Sequence, residues 1–100
     1  MEGRAKIVAI DDEVEFTKTI HQFFSARGYE VHVALTGTSG LEQVEVHDPH
    51  VVLVDLKLPG MDGDEVLQRI TRSHPNTRVI VTSLGLIFLR DESKITHIGE

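Results

Sequence analysis

Short, nearly unbroken apolar runs alternate along this chain with longer stretches in which apolar residues return every third or fourth position. Ile7, Val8, Ala9 and Ile10 form the first run, which ends abruptly in Asp11-Asp12-Glu13. An apolar run of that length, rich in β-branched residues, predicts a buried strand over Lys6 to Ile10 rather than a helix. Val14, Phe16, Ile20, Phe23 and Phe24 then recur mostly at helical spacing, with acids in the first turn, Arg27 in the last and Gly28 just beyond. Tyr29, Val31 and Val33 alternate as a second strand. Gly37-Thr38-Ser39-Gly40 reads as a turn and cap for a short helix carrying Leu41 and Val44, closed by Asp48-Pro49. Val51 to Val54 is the most continuously apolar stretch and predicts the third strand. A third helix is expected from about Asp64 to Ser73, with Val66, Leu67 and Ile70 on one face, acids at its start, and Arg69 and Arg72 near its end. His74-Pro75-Asn76 stops it, and "RVIVT", Arg78 to Thr82, predicts a fourth strand.

Strand and helix thus alternate three times before the fourth strand, with short connections. That order calls for an α/β fold in which a parallel sheet carries helices on both faces. Composition narrows the picture further. A chain of 100 residues suits one domain with a real core. The absence of cysteine rules out a disulfide framework, a zinc–thiolate site and thiol chemistry, and it fits a reducing compartment, so a cytoplasmic location is expected. No run approaches the ~18 apolar residues of a membrane span; the longest, Val79 to Leu89, is broken by Thr82, Ser83 and Gly85. The opening Met-Glu-Gly-Arg-Ala-Lys has no long apolar segment behind its charges, so no secretory signal is expected. Ten Lys+Arg against sixteen Asp+Glu leave a net charge of −6, which argues against this domain gripping a nucleic-acid backbone.

The chemistry is concentrated at strand ends. In an open parallel sheet, ligands bind beyond the carboxyl ends of the strands. Asp11 and Asp12 follow the first strand, Asp55 ends the third and Thr82 ends the fourth, so four side chains distant in sequence are expected at one edge. Carboxylates that share a pocket repel one another unless a cation sits among them. Oxygen ligands suit Mg²⁺, which keeps waters and accepts phosphates. An aspartate beside such an ion is a plausible nucleophile for phosphoryl transfer, with Thr82 supplying a hydroxyl to the phosphoryl oxygens.

"IVAIDDE", "VVLVDLKLPGMDG" and "VIVTS", in that order and spacing from about Ala5 to Ser83, resemble the receiver domains of two-component response regulators. The resemblance implies a flavodoxin-like sheet of order 2-1-3-4(-5). It implies that Asp55 accepts phosphate from a histidine kinase or phosphotransfer protein. Asp11, Asp12, Asp55 and the backbone carbonyl of Lys57 would hold Mg²⁺, and Thr82 would be the hydroxyl that follows the phosphoryl group. A receiver of this kind is not a turnover enzyme.

Plainer readings compete with each residue. Asp11 and Asp12 fit a helix N-terminus, Asp55 fits a turn before Pro59-Gly60, and Thr82 alone fits any strand; their joint placement favours the site. The Lys57 side chain is expected in solvent, and His47 and His50 as surface histidines, because Pro49 interrupts their helical spacing and no third ligand lies near in sequence. Gly37 to Gly40 is too short for a phosphate loop. A calcium loop starting at Asp55 fails at two ligand positions, where Lys57 and Pro59 stand. A haloacid-dehalogenase-type phosphatase would carry a second acid two residues after its nucleophile, where this chain has Lys57.

The resemblance weakens after Ser83. Receiver domains continue with a helix, a fifth strand ending in a lysine that contacts the phosphoryl group, and a last helix, whereas only "LGLIFLRDESKITHIGE" follows here. A helix of ~10–12 residues and a strand of ~5 would use all of it. Lys94, twelve residues after Thr82, follows no apolar strand and is no secure counterpart of the family lysine. The chain is therefore read as one receiver-type domain over 1–100, family-like over 5–83 and atypical over 84–100. Three accounts of the tail stay open: an altered or cut segment, a shortened unit in which "LIFL" is a strand, or a helix. Each leaves apolar surface on the sheet and beside the third helix, which predicts a homodimer or higher oligomer. With the family lysine gone, coupling of a phosphoryl group to a distant output face is expected to be weak. The alternative function is a receiver-like module that is not phosphorylated and self-associates through that apolar face.

Overall fold

The computed structural model describes residues 3–58, 60–83, 86–90 and 95–98. Met1 and Glu2 of the opening segment, Pro59 of the expected turn, and Lys94 lie outside the described residues. The elements are β1 (Lys6–Ile10), α1 (Val14–Ser25), β2 (Glu30–Ala34), α2 (Gly37–His47), β3 (Val51–Asp55), α3 (Gly63–Ser73), β4 (Arg78–Ser83), β5 (Leu86–Arg90) and β6 (Ile95–Ile98). They build a sheet of order β2-β1-β3-β4-β5-β6. The pairs β1–β2, β1–β3 and β3–β4 are parallel, as the alternating sequence requires.

Right-handed crossovers decide the layers. The chain moves outward from β1 to β2 through α1, then back across β1 to β3 and on to β4 through α2 and α3, so α1 covers one face and α2 with α3 the other. The main core lies on the second face, where Val8, Ile10, Ala34, Val52, Val54, Val79 and Val81 meet Val44 of α2 and Val66, Leu67 and Ile70 of α3. Two glycines allow that closeness. A Cβ at Gly40 would collide with the buried Ile10 side chain, and one at Gly63 with the backbone of Asp55 and Leu56.

Two local expectations need revision. Gly37 to Gly40 is not a turn before a helix but its first turn; the cap is Thr36, whose side chain accepts from the Ser39 N–H at 3.1 Å. Arg27 lies past the end of α1 and folds back over the Phe23 ring, 3.6 Å from its centroid, donating to the Phe23 carbonyl. The apolar residues of α1 are also less buried than their spacing suggests, since Val14, Phe16 and Phe23 are exposed and Thr17 is the buried one. Tyr29 and Val33 are exposed as well, because β2 is an edge strand.

Among the described residues of the tail, Leu86–Arg90 and Ile95–Ile98 are strands, which matches the account in which "LIFL" is a strand and not the helical one. β5 pairs antiparallel with β4, and β6 antiparallel with β5. Connection length gives the reason: two residues separate β4 from β5 and four separate β5 from β6, whereas a parallel return needs a dozen or more.

Candidate functional site

Three strand ends converge at the carboxyl edge of the sheet. β1 delivers Asp11 and Asp12, β3 delivers Asp55, and carboxylate oxygens of all three lie within 4.8 Å of one another. Thr82 of β4 is the register partner of Asp55, and the two strands are tied there by the Leu56 N–H donating to the Thr82 carbonyl at 3.0 Å. The spacing of the apolar runs therefore brings the three acids singled out in the sequence together and sets Thr82 in register beside Asp55.

Each is positioned by its backbone. Asp11 is buried; its N–H donates to the Ala34 carbonyl at 3.0 Å, and its Oδ1 accepts the Glu13 N–H at 2.9 Å. The cap position of α1 is held by Glu13, whose side chain makes no capping bond, so Asp11 and Asp12 are not the N-cap of that helix. Asp12 is exposed and Asp55 half-buried. The Asp55 Oδ1 accepts the Lys57 N–H at 3.1 Å, and the Lys57 residue is exposed, as expected of a side chain in solvent. The loop after Asp55 is pinned from the other side: Gly63, at the start of α3, donates to the Leu56 carbonyl at 3.2 Å and packs against the Asp55 backbone. Asp62 caps α3 by accepting the Asp64 N–H.

The electrostatics of the pocket favour a cation. Burial is the main cause that pushes the Asp11 carboxyl above its usual range; the Glu13 N–H opposes it, and the nearby Asp55, Asp12 and Glu13 charges add to it. A cation among the three carboxylates would remove that penalty. An all-oxygen donor set with room for water suits a small hard ion such as Mg²⁺ rather than a softer metal.

Histidine placement differs from expectation. His50 is exposed and its Nδ1 accepts the Lys6 N–H, but His47 is half-buried against His32, with ring centroids 3.5 Å apart and planes 13° from parallel. Sequence spacing missed the pair because its members lie on different elements. The available signal was the alternation of Glu30 and His32 on one strand face, followed by a helix whose end returns over that face.

Comparison with known proteins agrees with this geometry. The family model for the response regulator receiver domain matches residues 7–86. Sporulation initiation phosphotransferase F of Bacillus subtilis (strain 168) is 35% identical over 95% of this chain and 81% of its own length. A protein-glutamate methylesterase/protein-glutamine glutaminase of Rhodopseudomonas palustris is 36% identical, but this chain spans only 22% of it. The structure of a CheY-like receiver domain protein from Methanospirillum hungatei superposes with a TM-score of 0.79 at 30% identity, over 81% of this chain and 65% of that one.

Proposed function

The chain belongs to the response regulator receiver domains of two-component signalling, and from that membership we propose that it accepts a phosphoryl group on Asp55. The observation that carries the reading is the meeting of Asp55 with Asp11, Asp12 and the register partner Thr82 at one sheet edge. The donor is a phosphohistidine on a histidine kinase or phosphotransfer protein. An Asp55 oxygen attacks phosphorus, a P–O bond forms as the P–N bond breaks, and the departing imidazole takes up a proton from solvent. Asp11, Asp12, Asp55 and the backbone carbonyl of Lys57 would hold Mg²⁺, which supplies positive charge against that of the phosphoryl group. The Lys57 N–H already fixes one Asp55 oxygen, and the Thr82 hydroxyl donates to a phosphoryl oxygen as the sensing contact.

The domain acts as a signalling element, not as a turnover enzyme, and its place is the cytoplasm, where a cysteine-free chain and a kinase partner meet. Residues 1–100 form one receiver-type unit whose segment 84–100 departs from the family. Self-association is part of the reading, because large apolar side chains are exposed on α1. Coupling to an output surface is weak, since β5 and β6 stand where the family has helix-linked units.

Intact mass after incubation with a small-molecule phosphodonor and Mg²⁺ tests the proposal. A phosphoryl adduct is expected that disappears in Asp55→Asn and in chelator. An adduct that survives Asp55→Asn, or none on folded wild type, would overturn it.

A further inference from the structure

A second group of metal-ligating side chains lies at the opposite end of the strands. Glu30 and His32 alternate on the face of β2 that α2 covers, and His47 is the last residue of α2, returned by the helix to the amino edge of the sheet. The His32 Nε2 is 2.7 Å from the Glu30 Oε2, and the His47 Nδ1 is 3.9 Å from the same oxygen. One ligand atom from each residue falls within 4.8 Å of the other two. Glu30 pairs in register with Lys6 and Ala34 with Ile10, so the cluster begins four residue steps, roughly 13 Å along the strand, from the acid pocket.

We propose that Glu30, His32 and His47 form a binding site for a borderline divalent transition-metal ion, of which Zn²⁺ is the representative. Donors about 2.0–2.1 Å from a tetrahedral ion stand roughly 3.3 Å apart. The observed 2.7 and 3.9 Å bracket that separation, and the His47 ring must turn out of its near-parallel stack on His32 for both in-plane nitrogen lone pairs to meet one ion. Two imidazoles and one carboxylate favour zinc, copper or nickel over magnesium, which separates this site chemically from the all-oxygen pocket at Asp55. The two imidazoles lie side by side, each with one nitrogen near the same carboxylate oxygen. Burial, and then the neighbouring His32, lower the His47 imidazole below the usual histidine range. Three protein ligands on a half-exposed surface leave a fourth position for water or for a ligand from a partner. The Lys6 ammonium faces the same group and donates to the His47 carbonyl at 3.3 Å, so it works against affinity. An ion here would clip the edge strand β2 to the end of α2 and stabilise the fold by mass action.

Titration of the full chain with ZnCl₂ in excess Mg²⁺ tests the proposal, read by calorimetry and by imidazole ¹H–¹⁵N correlation spectra. One saturable Zn²⁺ per chain is expected, shifting the rings of His32 and His47 and leaving His21, His50 and His74 unmoved. His32→Gln and His47→Gln are each expected to weaken binding at least tenfold, because even outer-shell changes cost ~10–100-fold. The double variant Asp11→Asn/Asp55→Asn is expected to keep it. Zinc binding that follows the aspartates, ring shifts confined to other histidines, or no saturable binding would each overturn the site. The ring spectra are read on wild type, so a poorly folded variant does not decide the outcome.

Discussion

Asp11 is buried beside two other acids, and its own carboxylate accepts one backbone N–H, from Glu13, so function and stability pull against each other at this residue. Asp11→Asn removes one charge at nearly constant shape and is expected to raise the melting temperature of the metal-free protein by several degrees, since ~1 kcal/mol corresponds to ~4–8 °C in a domain of this size. The sign of its pH dependence follows from the raised folded-state pKa. The folded wild type takes up a proton at Asp11 before the unfolded chain does, so this penalty, full at neutral pH, fades as pH falls through that pKa. The gap between variant and wild type should therefore narrow in acid, and Mg²⁺ should stabilise wild type more than the variant; thermal unfolding by circular dichroism at several pH values, with and without chelator, checks all three. Asp11, Asp12, Asp55 and Thr82 were legible in the sequence because an apolar run that stops on a polar residue marks a strand end, and parallel strand ends meet. The His32–His47 stack was not, because it depends on how many turns α2 makes before it returns to β2.

At the scale of elements, the two glycines of close approach differ in what their surroundings can yield. An alanine Cβ at Gly40 would meet atoms of the Ile10 side chain, whereas at Gly63 it would meet backbone of Asp55 and Leu56. Gly40→Ala is expected to cost about 1–3 kcal/mol, the usual range for overpacking a tight core. Gly63→Ala should cost more, because a backbone cannot step aside as a side chain can, and it should also slow phosphorylation by displacing the loop after Asp55. Urea unfolding of both variants, with the phosphodonor assay on folded Gly63→Ala, checks the ranking; equal costs and unchanged phosphorylation would contradict it. Thr36→Ala, which removes the cap of α2, is expected to cost about 0.5–2 kcal/mol in the same experiment. The start of α2 was misread because glycines at both ends of Gly37-Thr38-Ser39-Gly40 resemble a turn. Here a helix tolerates Gly40 because only a hydrogen fits against Ile10. The strand character of "LIFL" was one of three readings left open, since a short apolar run does not by itself choose between strand and helix.

Viewed as a whole, the molecule covers its sheet unequally. On the face of α2 and α3, Val52, Val54, Val79 and Val81 are buried. On the face of α1, Ile7, Ala9 and Val31 are buried, but their neighbours Leu53 and Ile80 on β3 and β4 are only half so. Phe16 and Phe23 of α1 stand 37% and 46% exposed on that side. Val66, Leu67 and Ile70 of α3 are buried, and the exposed large apolar side chains among the described residues are Val14, Phe16 and Phe23 on α1, Tyr29 and Val33 at the adjoining edge strand, and Leu35 and Val46. Exposed aromatic residues grouped on one helix and the neighbouring strand favour burial between copies of the chain. Light scattering at micromolar concentration is expected to give at least twice the 11.2 kDa chain mass. Phe16→Glu with Phe23→Glu should return it to the monomer with the fold intact, because each introduced charge would face its counterpart across a two-fold interface. A monomeric wild type would remove the self-association reading while leaving Asp55 and its acids untouched, since they lie at the carboxyl edge of the sheet and draw no residue from α1.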